Sequence, residues 1–308
     1  MAIRKTASGN PHILACIDGS NVTESVCDYA TWYGSQLNLP ISLLHVIDVP
    51  KSNRHDLSGA IGMDSRKHLL NELAQLDEQT SRIANQHGEA LVKDAKQHIE
   101  KNLAVISSNE NAQQVPEVHT LLRRGKLLPA IEHFVHDTRV IILGRRGQDH
   151  QNDRVNIGSQ IESVVRAVDR PIMVCSDAFE TPDSYMLAFD GSPTAKKAVQ
   201  LICENEMAKS LQGHIVMVDH QDSQYENALY KAQQQMQDAG LNVSAHIIES
   251  KAAGHKDVVA ALTAFRRQHD ISFFVIGAYG HSKWRQFFVG STTTKLLANT
   301  TAPVILLR

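Results

Sequence analysis

No stretch of this 308-residue chain approaches the ~20 consecutive apolar residues of a membrane helix, so a membrane partner is not expected. The mildly basic start, Met1 to Asn10, is followed by too few apolar residues before Asp18 to form a secretory core. Cysteine is scarce: Cys16, Cys27, Cys175 and Cys203, none spaced as C-x-x-C. That excludes a disulfide scaffold and a redox pair, and leaves four small hydrophobes in a reducing compartment. A cytoplasmic protein is expected. Charge of either sign is nearly absent in excess, with a net of −2, so no global field attracts nucleic acid. The doublets Arg123-Arg124, Arg145-Arg146 and Arg266-Arg267 read as solvated surface. Sixteen histidines occur without H-x-H or H-E-x-x-H spacing, so no metal site is expected. A strand-linked G-x-G-x-x-G and a G-x-x-x-x-G-K-[ST] are also missing, which removes support for dinucleotide dehydrogenases and P-loop NTPases.

What is present is a repeat. His12–Ser20 reads HILACIDGS and Tyr185–Ser192 reads YMLAFDGS, an offset of 172 residues between the aspartates. Val140–Gly147 (VIILGRRG) and Phe274–Gly280 (FVIGAYG) repeat at 133, and Arg170–Cys175 and Ala302–Leu307 at 132. The first copy therefore carries about 39 extra residues in its middle. A polar stretch at 176–183 separates the copies, which predicts domains over 1–178 and 179–308.

Each copy alternates strand and helix. Strand-like runs fall at 12–17, 41–47, 117–122, 139–143 and 171–175, then at 185–189, 214–218, 243–248, 271–276 and 303–307. Val22, Val26, Tyr29, Ala30, Tyr33 and Leu37 mark one helical face. Ser192-Pro193 is a helix start, and others are expected near Asp257 and Ser291. Near-continuous apolar strands between helices imply an α/β fold of two tandem Rossmann-like domains, each a five-stranded parallel sheet flanked by helices. The insertion, about 51–116, reads through Leu69, Leu73, Leu76, Ile83, Leu91 and Ile99 as a long helix or helical hairpin. An extended helix after the second strand is preferred to a partner-binding coiled coil, and Asn102–Gln114 reads as a loop.

Ligands of open parallel sheets bind beyond the carboxyl ends of strands, where the winding reverses. The Asp-Gly-Ser and G-x-x-G turns follow the first and fourth strands of each copy, and a reversal between those strands would bring them together. In the second copy the spacing from Gly277 is G-x2-G-x9-G-S, through Gly280 to Gly290-Ser291, with Thr293 beyond. Glycines let backbone N–H groups approach an anion, and the helix start at Ser291 favours phosphate. Asp190, being negative, suits an exocyclic amine or a ribose hydroxyl instead.

These motifs, with Leu43-Leu44-His45-Val46-Ile47-Asp48, resemble the universal stress protein family in tandem form. The family's fold is the adenine nucleotide alpha hydrolase-like variant of the Rossmann arrangement. The resemblance covers nearly the whole chain apart from the helical insertion. It implies an adenine nucleotide, ATP often with Mg2+, held by Asp190, Val218, Gly277, Gly280, Gly290, Ser291 and Thr293. In the first copy it implies Asp18, Val46, Gly144, Gly147, Gly158 and Ser159. There the last gap is ten residues rather than nine, and Ile161 stands where the second copy has Thr293. Arg145 and Arg146 could attract phosphate in compensation.

The function the resemblance implies is a stress-response regulator or sensor. A weak ATPase and an interaction scaffold without nucleotide are the alternatives. No catalytic set accompanies the glycine segment; His281 is its one candidate base. Single-domain members commonly pair through their final strands. Pro171–Cys175 and Pro303–Leu307 are therefore expected to pair antiparallel as an internal pseudo-dimer, with a further homodimer left open.

Overall fold

A computed structural model describes residues 11–48, 63–110, 115–145, 159–218, 223–250, 257–277, 296–297 and 300–307; side chains at 63–70, 109–110, 159–160 and 223–224 lie outside the description. The first half contributes β1 (His12–Ile17), β2 (Ile41–Ile47), β3 (Val118–Arg124), β4 (Thr138–Gly144) and β5 (Ile172–Cys175). The second contributes β6 (Ser184–Ala188), β7 (Gln212–Val218), β8 (Val243–Ile248), β9 (Phe273–Gly277) and β10 (Val304–Leu307). They form one ten-stranded sheet in the order β3-β2-β1-β4-β5-β10-β9-β6-β7-β8. Within each half all described pairings are parallel.

Side-chain alternation feeds two cores. Ile13, Ala15 and Ile17 join one layer with Val26 and Tyr29 of α1 (Thr23–Leu37), Ile99 of α2 (Met63–Glu110), Val199 of α5 (Pro193–Cys203) and Leu229 of α6 (Ser223–Asp238). Leu14 and Cys16 join the other, with Ile131 of α3 (Leu127–Phe134), Val164 of α4 (Ser159–Ala167) and Leu262 of α7 (Val258–Gln268). Burial on both faces is what makes the inner strands continuous apolar runs, whereas the outer strands β3 and β8 are only partly covered. The polar helix α6 went unread in the sequence. Its glutamines mask a thin apolar stripe at Leu229, Ala232 and Met236, all buried.

The halves meet where β5 and β10 pair antiparallel, with Val304 opposite Val174, Ile305 opposite Met173 and Leu306 opposite Ile172. All six side chains are buried. Around this seam Trp32 of α1 meets Phe273 with ring centroids 6.3 Å apart. Tyr29 meets Phe179 edge-on at 4.8 Å. Arg145 corrects the solvated reading of its doublet: it is buried, and its guanidinium donates to the Ala302 carbonyl across the seam. Arg266 departs likewise, being half-buried and donating to the Ser272 carbonyl.

Among the described residues the insertion is a single helix of 48 residues, roughly 70 Å long, and not a hairpin. The expected loop from Asn102 is helical as far as Glu110. Leu103 is buried, and Asn102 donates to Asp28 of α1 at 2.9 Å, so tertiary contacts hold this turn helical. Gly88 lets the helix lie close on the sheet, since a Cβ there would sit 3.0 Å from Leu122 and 3.1 Å from His45. Toward the amino end Leu73, Leu76 and Ile83 are exposed.

The seam predicts the behaviour of a truncated chain. Residues 181–308 alone would leave β10 as an open, apolar edge strand. Sedimentation of that fragment at tens of micromolar is expected to show a homodimer joined through β10. A soluble monomer would mean that the second half does not need strand pairing at this edge.

Candidate functional site

The strand order places β1 between β2 and β4, and β6 between β7 and β9. The chain therefore winds outward in opposite directions from β1 and from β6, which opens a crevice at their carboxyl ends. In the second half Ala188 pairs with Val216 on one side and Ile276 on the other. Asp190, Val218 and Gly277 lie just past these pairs and so gather at one edge. Cys16 pairs with Leu44 and Leu143 in the first half, which gathers Asp18, Val46 and Gly144 in the same way.

Both Asp-Gly-Ser turns share one construction. Asp190 Oδ1 accepts from the Ser192 amide at 3.0 Å, and Asp18 Oδ1 from the Ser20 amide at 3.0 Å. Gly191 and Gly19 carry φ of 74° and 80°, the left-handed region that such a turn demands. Downstream the two differ. Ser192 caps α5, its Oγ accepting from the Ala195 amide at 3.2 Å, with Pro193 in the first turn. In the first half α1 has no side-chain cap, and Thr23 Oγ instead accepts from the Gly19 amide of the turn at 3.0 Å. Asp190 is exposed; Asp18, Val46, Val218, Gly144 and Gly277 are partly covered.

Gly277 has a packing reason for its identity. A Cβ there would lie 2.7 Å from the Thr194 carbonyl oxygen and 3.1 Å from the Ala195 amide nitrogen. The first turn of α5 thus crosses directly over the end of β9. Sequence reasoning missed Tyr225, on α6. It stands over the Asp190 turn, its ring 3.3 Å from where a Cβ on Gly191 would be. A single tyrosine in an unpredicted helix carried no signal by spacing.

Gly280, His281, Gly290, Ser291, Thr293, Arg146, Gly147 and Gly158 lie outside the described residues, as does the side chain of Ser159, whose backbone opens α4. Arg145, offered as a phosphate-attracting group, is instead committed to the Ala302 carbonyl.

The model of the universal stress protein family matches residues 9–176 and again 184–308. The chain belongs to the universal stress protein family. It holds two such domains in tandem. A curated relative, universal stress protein Slr1230 of Synechocystis, is 28% identical over 302 residues, covering 96% of this chain and 99% of its own. Among solved structures, a universal stress protein of Archaeoglobus fulgidus aligns over 98% of this chain and 99% of its own, with TM-score 0.68 and 18% identity. A putative universal stress protein of Pseudomonas aeruginosa aligns over 97% and 93%, with TM-score 0.55 and 16% identity. These likenesses establish the fold as α/β. No helix among the described residues is long and apolar enough to cross a membrane.

The contact at Gly277 predicts a stability effect independent of any ligand. Gly277→Ala should cost about 1–3 kcal/mol, because the atoms it meets are backbone and cannot swing aside. Denaturant unfolding of the variant without added nucleotide measures this; an unchanged midpoint would mean that α5 can shift freely over β9.

Proposed function

We propose that this tandem universal stress protein binds an adenine nucleotide, ATP first, in its second half and acts as a ligand-responsive regulator. The observation that carries the reading is the convergence of Asp190, Val218 and Gly277 at the winding reversal, immediately before the G-x2-G-x9-G-S segment.

The chemistry of these groups fits the ligand. Asp190 is exposed and uses Oδ1 to hold its own turn, so its carboxylate is fixed in direction as an acceptor for an amine or hydroxyl. Val218 packs with the α7-side core, while Tyr225 comes from α6 on the other face. Between them they offer apolar walls for a flat heterocycle. Gly280 and Gly290 would bring amides to the phosphates, with hydroxyls from Ser291 and Thr293. Those hydroxyls are oxygen donors of the kind Mg2+ accepts when it accompanies phosphates, and the ion would supply charge neutralisation there. Nothing in this set is a paired acid and base, so binding is favoured over hydrolysis.

The first half is the weaker site. Asp18 and Val46 keep their places, yet Ile161 replaces a hydroxyl with a buried aliphatic side chain, and Arg145 is engaged at the seam. Domains of 1–178 and 179–308, and residence in the cytoplasm, complete the reading. The four unpaired cysteines accord with that compartment.

Calorimetry with ATP tests the assignment. Asp190→Ala should weaken binding about tenfold or more, the loss of a charged acceptor. Asp18→Ala should leave the stoichiometry unchanged. Gly290→Val should abolish binding while the fold persists. Equal losses from the two aspartate variants would reverse the ranking of the halves, and unchanged affinity in Gly290→Val would remove the glycine segment from the site.

A further inference from the structure

Three histidines from three elements of the second half meet away from the proposed nucleotide site. His214 is on β7, His246 on β8 and His269 at the carboxyl end of α7. Register places His246 opposite Val216, two residues on from His214, so His214 and His246 project from one face, the face that α7 covers. His214 precedes Val218 by four residues, which sets the cluster roughly 13 Å from the carboxyl edge.

The rings are in contact. His214 Nδ1 is 3.2 Å from His246 Nε2. Ring centroids are 5.3 Å apart for His214 and His246, 6.0 Å for His246 and His269, and 6.2 Å for His214 and His269. Phe265 forms an apolar wall against two of them, at 4.9 Å from His246 and 4.3 Å from His269. Two imidazole nitrogens on one tetrahedral zinc ion, each bonded at ~2.05 Å, stand about 3.3 Å apart. The His214–His246 separation already matches that bite. His269, exposed at a helix end with its ring on Phe265, does not bring a nitrogen to that point as it stands and would have to turn its side chain to complete the site.

Burial, and then the neighbouring imidazoles, hold His214 below the ordinary histidine value, and His246 likewise. One N–H···N bond joins the first pair, and stacking on Phe265, four residues earlier on the same helix, holds the third imidazole against the same wall.

A second cluster, Glu24, Asp28 and His98, has donor atoms that all lie within 4.8 Å of one another. There, however, His98 Nε2 is 2.6 Å from Asp28 Oδ1, and Asn102 donates to the same oxygen. Those bonds fasten α1 to α2 and complete each other without an ion.

We propose that His214, His246 and His269 form a binding site for a divalent transition ion of the zinc type, with three imidazole ligands and a water in the fourth position. The site does not depend on the nucleotide reading. The untagged full chain, freed of metal, is titrated with Zn2+ by calorimetry, and with Co2+ to follow its visible absorption. One equivalent should bind in the micromolar range or tighter, with a Co2+ spectrum of tetrahedral intensity. His214→Ala with His246→Ala should weaken binding about a hundredfold, and His269→Ala about tenfold. His98→Ala should bind as the parent does. His246→Asn, on a half-exposed ring, serves if the double variant fails to fold, and should weaken binding about tenfold. The proposal is overturned by no uptake in the parent chain, by uptake that survives these changes, or by its loss in His98→Ala.

Discussion

The antiparallel pairing of β5 with β10 decides the layout of the whole molecule. Each half is built from parallel strands with covering helices, and such a sheet ends in an edge of unpaired backbone groups. Joining β5 to β10 closes both inner edges at once. Because that one pairing is antiparallel, every strand of the second half runs opposite to every strand of the first. The two winding reversals therefore lie on opposite long edges of one continuous sheet. Ligand sites at Asp18 and Asp190 would face away from each other, and neither could share a ligand with its counterpart. The histidine cluster lies nearer the amino ends of its strands than the Asp190 site does, toward the long edge that carries Asp18.

Much of this was legible because the repeat was legible. The strand runs at 12–17 and 41–47 stand where their apolar character put them, since strands buried on both faces cannot hide. The Asp-Gly-Ser turns were readable because glycine at φ of 74° or 80° leaves few substitutes. Helix α6 was not readable: three buried apolar residues among glutamines give a weak period. The turn at Asn102 was misread for a related reason. Asparagine and serine favour loops locally, but a hydrogen bond to Asp28, 74 residues away, is tertiary and has no local trace. The histidine cluster shows the same limit more sharply. His214 and His246 are 32 residues apart, a separation set by a helix and a register, which no ligand-spacing pattern encodes.

The halves have diverged by giving equivalent positions different work. After β4 the first half has Arg145, which reaches across the seam to Ala302. A cation spent on a carbonyl in a buried seam is unavailable to a phosphate, and removing it would leave that carbonyl buried without this donor. After β2 the first half extends into α2, whose Asn85 side chain and Ser81 carbonyl both accept from Arg124 at the end of β3. The corresponding end of the second half carries instead the short α6 with Tyr225 over the Asp190 turn. Divergence has thus favoured fastening in one half and an accessible edge in the other.

That accessible edge is also rigidly built. Asp190 fixes the Ser192 amide, Ser192 caps α5, and the Thr194 carbonyl of the same first turn rests on Gly277. One chain of contacts therefore links the carboxylate to the strand that leads into the glycine segment. A ligand meeting both ends would find their separation already set, so less ordering entropy opposes binding. It also follows that the glycine at 277 does two things with one absent side chain. It lets α5 start where Ser192 caps it, and it keeps Asp190 in register with the backbone that follows. A side chain at 277 would move the helix start, and the carboxylate with it.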